Sequence, residues 1–70
     1  MKKISVSLSG HQTSISLEPE FIRQLRIIAT DEKRSVASIV AEIDAARTPE
    51  TNLSSAIRIW ILRKYTNTTK

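Results

Sequence analysis

Polar and apolar positions alternate through the first seventeen residues. Ile4, Val6 and Leu8 are apolar while Ser5, Ser7 and Ser9 are polar, a period of two that predicts a half-buried strand over about 4–8. The alternation returns with Ile15 and Leu17 against Ser14 and Ser16, and Thr13 can join the apolar side through its methyl group. A second strand over about 13–17 follows. Between the two lies Ser9-Gly10-His11-Gln12, whose glycine marks a turn or a bulge. The two strands are expected to form a hairpin.

From Glu18 onward the period lengthens. Pro19 suits the first turn of a helix, and the carboxylates of Glu18 and Glu20 favour its positive end. Phe21, Leu25 and Ile28 recur at i, i+4 and i+7 with Ile22 and Ala29 beside them, which predicts a helix over about 19–32. Ile27 falls off that face. Ser35 is a good N-cap for a second helix, about 36–46, built on Val36, Ile39, Val40 and Ile43. Pro49 forbids its simple continuation. Asn52 caps a third helix, about 53–64, with a stripe of Leu53, Ala56, Ile57, Trp60 and Ile61. Ile59 and Leu62 lie off the stripe, and the polar tail 66–70 is expected to fray. The order strand, strand, helix, helix, helix predicts one α+β domain over residues 1–70.

Seventy residues limit how much apolar surface one chain can hide. A lone hairpin with short helices is expected to leave faces uncovered, and pairing of two copies would cover them. The residues expected in such a dimer core are Ile15, Leu17, Phe21, Leu25, Ile28, Val36, Ile39, Val40, Ile43, Ile57, Trp60 and Ile61. With no cysteine, disulfides, zinc–thiolate sites and iron–sulfur clusters are excluded. His11 is the single histidine, too few for a histidine metal cage. No glycine-rich phosphate loop, Cys/His pair or Ser-His-Asp spacing occurs, and a helix N-terminus accounts for Glu18 and Glu20. An enzyme is therefore not expected, nor a cofactor or metal. The longest strongly apolar run, Ile59 to Leu62, is far too short to span a bilayer. The first residues lack the apolar segment of a secretory signal, so a cytoplasmic location without membrane attachment is the expectation.

Charge adds a partner to this picture. Lys and Arg number 11 against 7 Asp and Glu, giving +4 and a pI near 10.0, and two copies would carry +8. Such a balance favours polyanions, with nucleic acid the commonest in cytoplasm. A two-stranded antiparallel ribbon is one of the few elements that fits the DNA major groove. With its apolar side on the helices, the second strand would project Gln12, Ser14 and Ser16. Lys2 and Lys3 are candidate anchors for backbone phosphates.

Three stretches carry a family likeness. The run Gln12-Thr13-Ser14-Ile15-Ser16-Leu17-Glu18-Pro19-Glu20-Phe21, then Leu25, Ile28 and Ala29, then Arg34-Ser35-Val36-Ala37-Ser38-Ile39-Val40, resembles the ribbon-helix-helix family of bacterial DNA-binding proteins, the Arc/MetJ/CopG-like group. Gly10 to Glu18, Ala41-Glu42-Ile43-Asp44 and Asn52-Leu53-Ser54-Ser55-Ala56 further resemble a small subfamily of such domains from alphaproteobacteria. The likeness covers about residues 2–63. It implies an intertwined homodimer, here with an extra N-terminal strand and a third C-terminal helix. It also implies base contacts from Gln12, Ser14 and Ser16, and a phosphate held at the second helix's N-terminus by amides near Ser35, Val36 and Ala37. Lys33 and Arg34 adjoin that clamp, where the family usually has a glycine.

The expected function is that of a homodimeric DNA-binding protein of the transcriptional-regulator type, assembling with itself and possessing duplex DNA as its partner. The alternative is a dimeric protein–protein interaction module, a scaffold or antitoxin-like protein, which would use the sheet or the third helix to hold a protein partner. Geometry raises one difficulty. Strands lie about 4.8 Å apart and the groove is about 12 Å wide, so a four-stranded sheet would not enter it lying flat. Either the first strand is expected to peel away, or the sheet serves another purpose.

Overall fold

The computed structural model describes residues 1–8 and 10–67. Ser9, the side chains of His11 and Asn67, and residues 68–70 lie outside that description. Strands β1 (Lys2–Leu8) and β2 (His11–Leu17) pair antiparallel over seven positions, from Lys2 opposite Leu17 to Leu8 opposite His11. The first strand does not peel away within the chain. Gly10 adopts φ 87°, a left-handed conformation that glycine enters without steric cost. Because side chains alternate across a strand, the register places Ile4, Val6, Leu8, Thr13, Ile15 and Leu17 on one face. Lys3, Ser5, Ser7, Gln12, Ser14 and Ser16 share the other.

Helix α1 (Pro19–Asp31) follows β2 after a single residue, Glu18, whose carbonyl accepts from Phe21 and Ile22. Its end is a Schellman motif: Arg34 N–H donates to Ala29 C=O at 2.9 Å and Lys33 N–H to Thr30 C=O at 3.1 Å. Lys33 takes φ 56° there. This is a conformation that glycine enters most easily, here adopted by a lysine. Helix α2 (Val36–Ala46) begins at Ser35, whose Oγ accepts from Ser38 N–H at 3.0 Å. Asn52 Oδ1 accepts from Ser55 N–H at 2.8 Å in the same way and starts helix α3 (Leu53–Asn67).

Helix α3 continues past the expected end near Lys64 and takes in Thr66 and Asn67. Its last turns are tied down: Lys64 donates to Glu32, and Tyr65 donates to Gln24 of α1. The remainder of the tail expected to fray, 68–70, lies outside the described residues.

The hairpin's apolar face closes over the helices, β1 against α2 and β2 against α3, while α1 touches both α2 and α3. Among the described residues, thirteen side chains form one buried cluster, and Leu17, Leu25, Ile39, Val40 and Ile57 are fully sealed. The apolar area this removes from water is the main force holding the chain folded. Of the twelve residues expected in a dimer core, Ile15, Leu17, Leu25, Ile28, Ile39, Val40, Ile43, Ile57 and Ile61 are buried by their own chain. Phe21, Val36 and Trp60 pack against them half-buried. One chain therefore hides far more than stripe counting suggested, because β1 and α3 cover the α1–α2 pair from within. Ile27, Ile59 and Leu62, the off-stripe residues, are exposed.

Candidate nucleic-acid interface

The hairpin's second face is polar from end to end. Lys3 stands opposite Ser16, Ser5 opposite Ser14 and Ser7 opposite Gln12. All are exposed except Ser16, which is half-buried. Gln12, Ser14 and Ser16 are thus brought together on one surface. Lys3, Ser5 and Ser7 join them, and the two serines were not singled out from the sequence. Their signal was present in the alternation of β1, but only the register shows that the polar sides of both strands coincide.

The N-terminus of helix α2 lies at the β1 edge of the hairpin. Ile4 to Ser7 of β1 and Val36 and Ala37 of α2 line one cleft, together with Ile22, Leu25 and Arg26. Ser35 caps Ser38, and the first intrahelical bond runs from Ile39 N–H to Ser35 C=O. The N–H groups of Val36 and Ala37 have no acceptor among the described residues. Free amides at the positive end of a helix are suited to an anion. They open beside β1.

The cations fall into two groups. Arg34, Arg47, Arg58 and Lys64 are in ion pairs. Arg34 lies along the first turns of α2, 2.8 Å from Glu42 and 3.4 Å from Glu32, and donates to Ser38 C=O at 3.2 Å. Its guanidinium sits beside the clamp but is already engaged. Among the described residues, Lys2, Lys3, Arg23, Arg26, Lys33 and Arg63 make no ion pair. Lys33 is exposed two residues before Ser35. Lys2 and Lys3 lie at the start of β1, and Arg23 and Arg26 were not singled out from the sequence. A helix face with two arginines reads as an ordinary solvated surface until the fold sets it beside the strand.

Among the described residues, two carboxyl groups are shifted. The hydrogen bond from Arg58 holds the Glu18 carboxyl below the ordinary carboxylate range. Lys64 does the same for Glu32, with Arg34 adding to it. Both belong to contacts that hold the helices together rather than to the polar ribbon face. Among the described residues no cluster of three or more His, Cys, Asp or Glu could hold a metal ion. Nor is any of their helices long and apolar enough to cross a membrane.

A polar antiparallel ribbon leading directly into two helices, with a free helix N-terminus at the ribbon's edge, defines a class of DNA-binding domain. The sequence pattern of the ribbon-helix-helix domain matches residues 1–65, and the chain belongs to that family. Its members are non-catalytic DNA-binding domains, so the architecture supports a DNA-binding regulatory role and no enzymatic one. No curated protein and no solved structure matches the chain.

Proposed function

We propose that this protein is a homodimeric transcriptional regulator that reads duplex DNA with the β2 side of its ribbon and clamps a phosphate at the N-terminus of α2. The observation that carries this reading is the position of the α2 amides beside β1. Phosphates lie at the walls of the major groove and base edges on its floor. A phosphate at Val36 and Ala37 puts β1 at the wall and leaves Gln12, Ser14 and Ser16 of β2 toward the bases. Glutamine can bond adenine bidentately, while the serines discriminate less. Lys33, Ser35 and Val36 then form the clamp, Arg34 joins it by exchanging its carboxylate partners for the phosphate, and Lys2 and Lys3 follow the backbone along β1.

The same placement suggests how two copies join. The sheet has two strands, so the outer edge of β2 pairs with no other strand among the described residues. An unpaired edge is a template for a further strand. Joining two chains along β2 makes the order β1-β2-β2-β1, roughly 14 Å across at about 4.8 Å per step. Only the inner pair then enters the groove, while the outer strands ride over its walls. This meets the width difficulty without unpairing β1. Such a dimer extends a sheet between two cores that are each largely closed, with Phe21 and Trp60 among the half-buried residues available to a second copy, while Val36 stays beside β1 in the clamp. Membership of the alphaproteobacterial subfamily is part of this reading and rests on the three stretches quoted above.

Titration against duplex DNA at several salt concentrations tests it. Binding through phosphates weakens steeply as salt rises, Gln12→Ala and Ser14→Ala alter base preference, and substitutions at the clamp weaken all sequences alike. Absence of any retardation at low salt overturns the reading. A second reading is favoured by one observation: Ile59, Leu62 and Tyr65 are exposed along α3. Such a row suits a protein partner, as in a scaffold or antitoxin-like module.

A further inference from the structure

Most of the cations that make no ion pair among the described residues are gathered in one place. Four of them, Lys2 and Lys3 of β1 and Arg23 and Arg26 of α1, line a single open groove between the start of β1 and the outer face of α1. Asp31 lines it too, so the groove carries four positive groups against one negative. All five side chains are exposed. Like charges brought together on a surface repel one another and lower stability unless a counter-charge is supplied. The chain had carboxylates to offer, yet it uses Glu18, Glu32, Glu42 and Asp44 elsewhere.

The groove also has a neighbour. It shares Ile4, Ile22 and Arg26 with the cleft that Val36 and Ala37 line. The two therefore adjoin along β1, the cleft that Val36 and Ala37 line on one side and the basic groove on the other. A strand of seven residues spans roughly 20 Å, a stretch over which one DNA strand presents several phosphates in a row.

From this geometry we infer that the Lys2–Lys3–Arg23–Arg26 groove is a second phosphodiester-backbone site, which tracks the same DNA strand that the α2 N-terminus clamps. The inference rests on the DNA-binding reading above and adds Arg23 and Arg26 to it. Their role is to position the ribbon through several contacts on one wall, without reading bases. An acidic protein segment is the other occupant that so charged a groove could take, and the test separates it.

The experiment is fluorescence anisotropy of the full chain against one labelled duplex over a series of potassium chloride concentrations. Wild type is compared with Arg23→Ala, Arg26→Ala, the double variant and Arg63→Ala. Arg63 is also unpaired among the described residues, but it lines a groove at the C-terminal end of α2 with Ala46 and Arg47. Each neutralised phosphate contact contributes about 0.9 to the slope of log K against log salt. The single variants are expected to flatten the slope by about that amount per bound chain, the double by about twice as much, and Arg63→Ala not at all. Base preference stays as in wild type. A double variant that keeps the wild-type slope while still binding overturns the inference, and the groove then faces something other than DNA. A wild-type chain that fails to bind duplex DNA at low salt overturns the underlying reading instead, which no change at Arg23 or Arg26 could imitate.

Discussion

Arg58 of α3 donates from Nε to Glu18 Oε1 at 2.9 Å, across forty positions of sequence. Glu18 is the single residue between β2 and α1, so this contact fastens α3 to the point where ribbon becomes helix. The Arg58 guanidinium also lies 5.9 Å from the Phe21 ring centroid. At the other end of α1, Lys64 meets Glu32, with its ammonium 4.9 Å from the Trp60 ring centroid. Helix α3 is thus held to α1 near both ends.

These two contacts make stability depend on acid. Both carboxyls sit below their ordinary value of 4.5 in the folded chain, Glu18 mainly through Arg58 and Glu32 mainly through Lys64. A group whose pKa is lowered on folding stabilises the fold above its unfolded pKa and loses that contribution as pH falls through its folded one. Melting temperature should therefore drop as pH goes from about 5 toward 3. Glu18→Gln and Glu32→Gln should start lower at neutral pH and show a shallower drop. Melting curves for the variants that run parallel to wild type over this range would contradict the assignment.

Lys33 offers a substitution whose two effects have opposite signs. Its φ of 56° costs a non-glycine residue roughly 1 kcal/mol or more, while glycine adds entropy to the unfolded chain that offsets part of the gain. Lys33→Gly is expected to stabilise the fold by up to about 1 kcal/mol, read as a higher urea midpoint. The same change removes a cation beside the clamp, so DNA affinity should fall. A lower urea midpoint would show that the left-handed position is not strained.

At Ser35 the cap and the clamp can be separated. Ser35→Ala removes the acceptor for Ser38 N–H and should cost about 1 kcal/mol. Ser35→Asp caps a helix as well as serine does, so its melting temperature should stay near wild type. It nevertheless sets a negative charge where a phosphate would sit, and DNA binding should weaken roughly tenfold or more. Equal DNA affinity for Ser35→Asp and wild type would remove the phosphate from the α2 N-terminus.

Much of this arrangement is written in local patterns. Ser35 with Val36, Ile39, Val40 and Ile43 marks α2 from cap to last turn, since a side-chain cap and a helical stripe are both short-range signals. The polar alternates Gln12, Ser14 and Ser16 are legible for the same reason. Contacts between distant elements leave no such trace. Nothing near Glu18 in sequence names Arg58, and nothing near Arg23 names Lys2. The expected shortfall of cover also came from local reading, because a stripe tells which face is apolar but not what lies over it. Here β1 and α3 supply the cover. Lys33 was hidden differently: a lysine carries no hint of a positive φ, so only the backbone hydrogen bonds of Arg34 and Lys33 reveal the turn.

The central claim is that DNA lies on the polar ribbon face and the α2 N-terminus. Chemical-shift mapping of the backbone amides during titration with duplex DNA tests it directly. The account predicts the largest changes along Lys3 to Ser7, Gln12 to Ser16 and Ser35 to Ala37, with α3 from Ile59 to Tyr65 nearly unmoved. Changes confined to that α3 segment, with a silent ribbon, would contradict it.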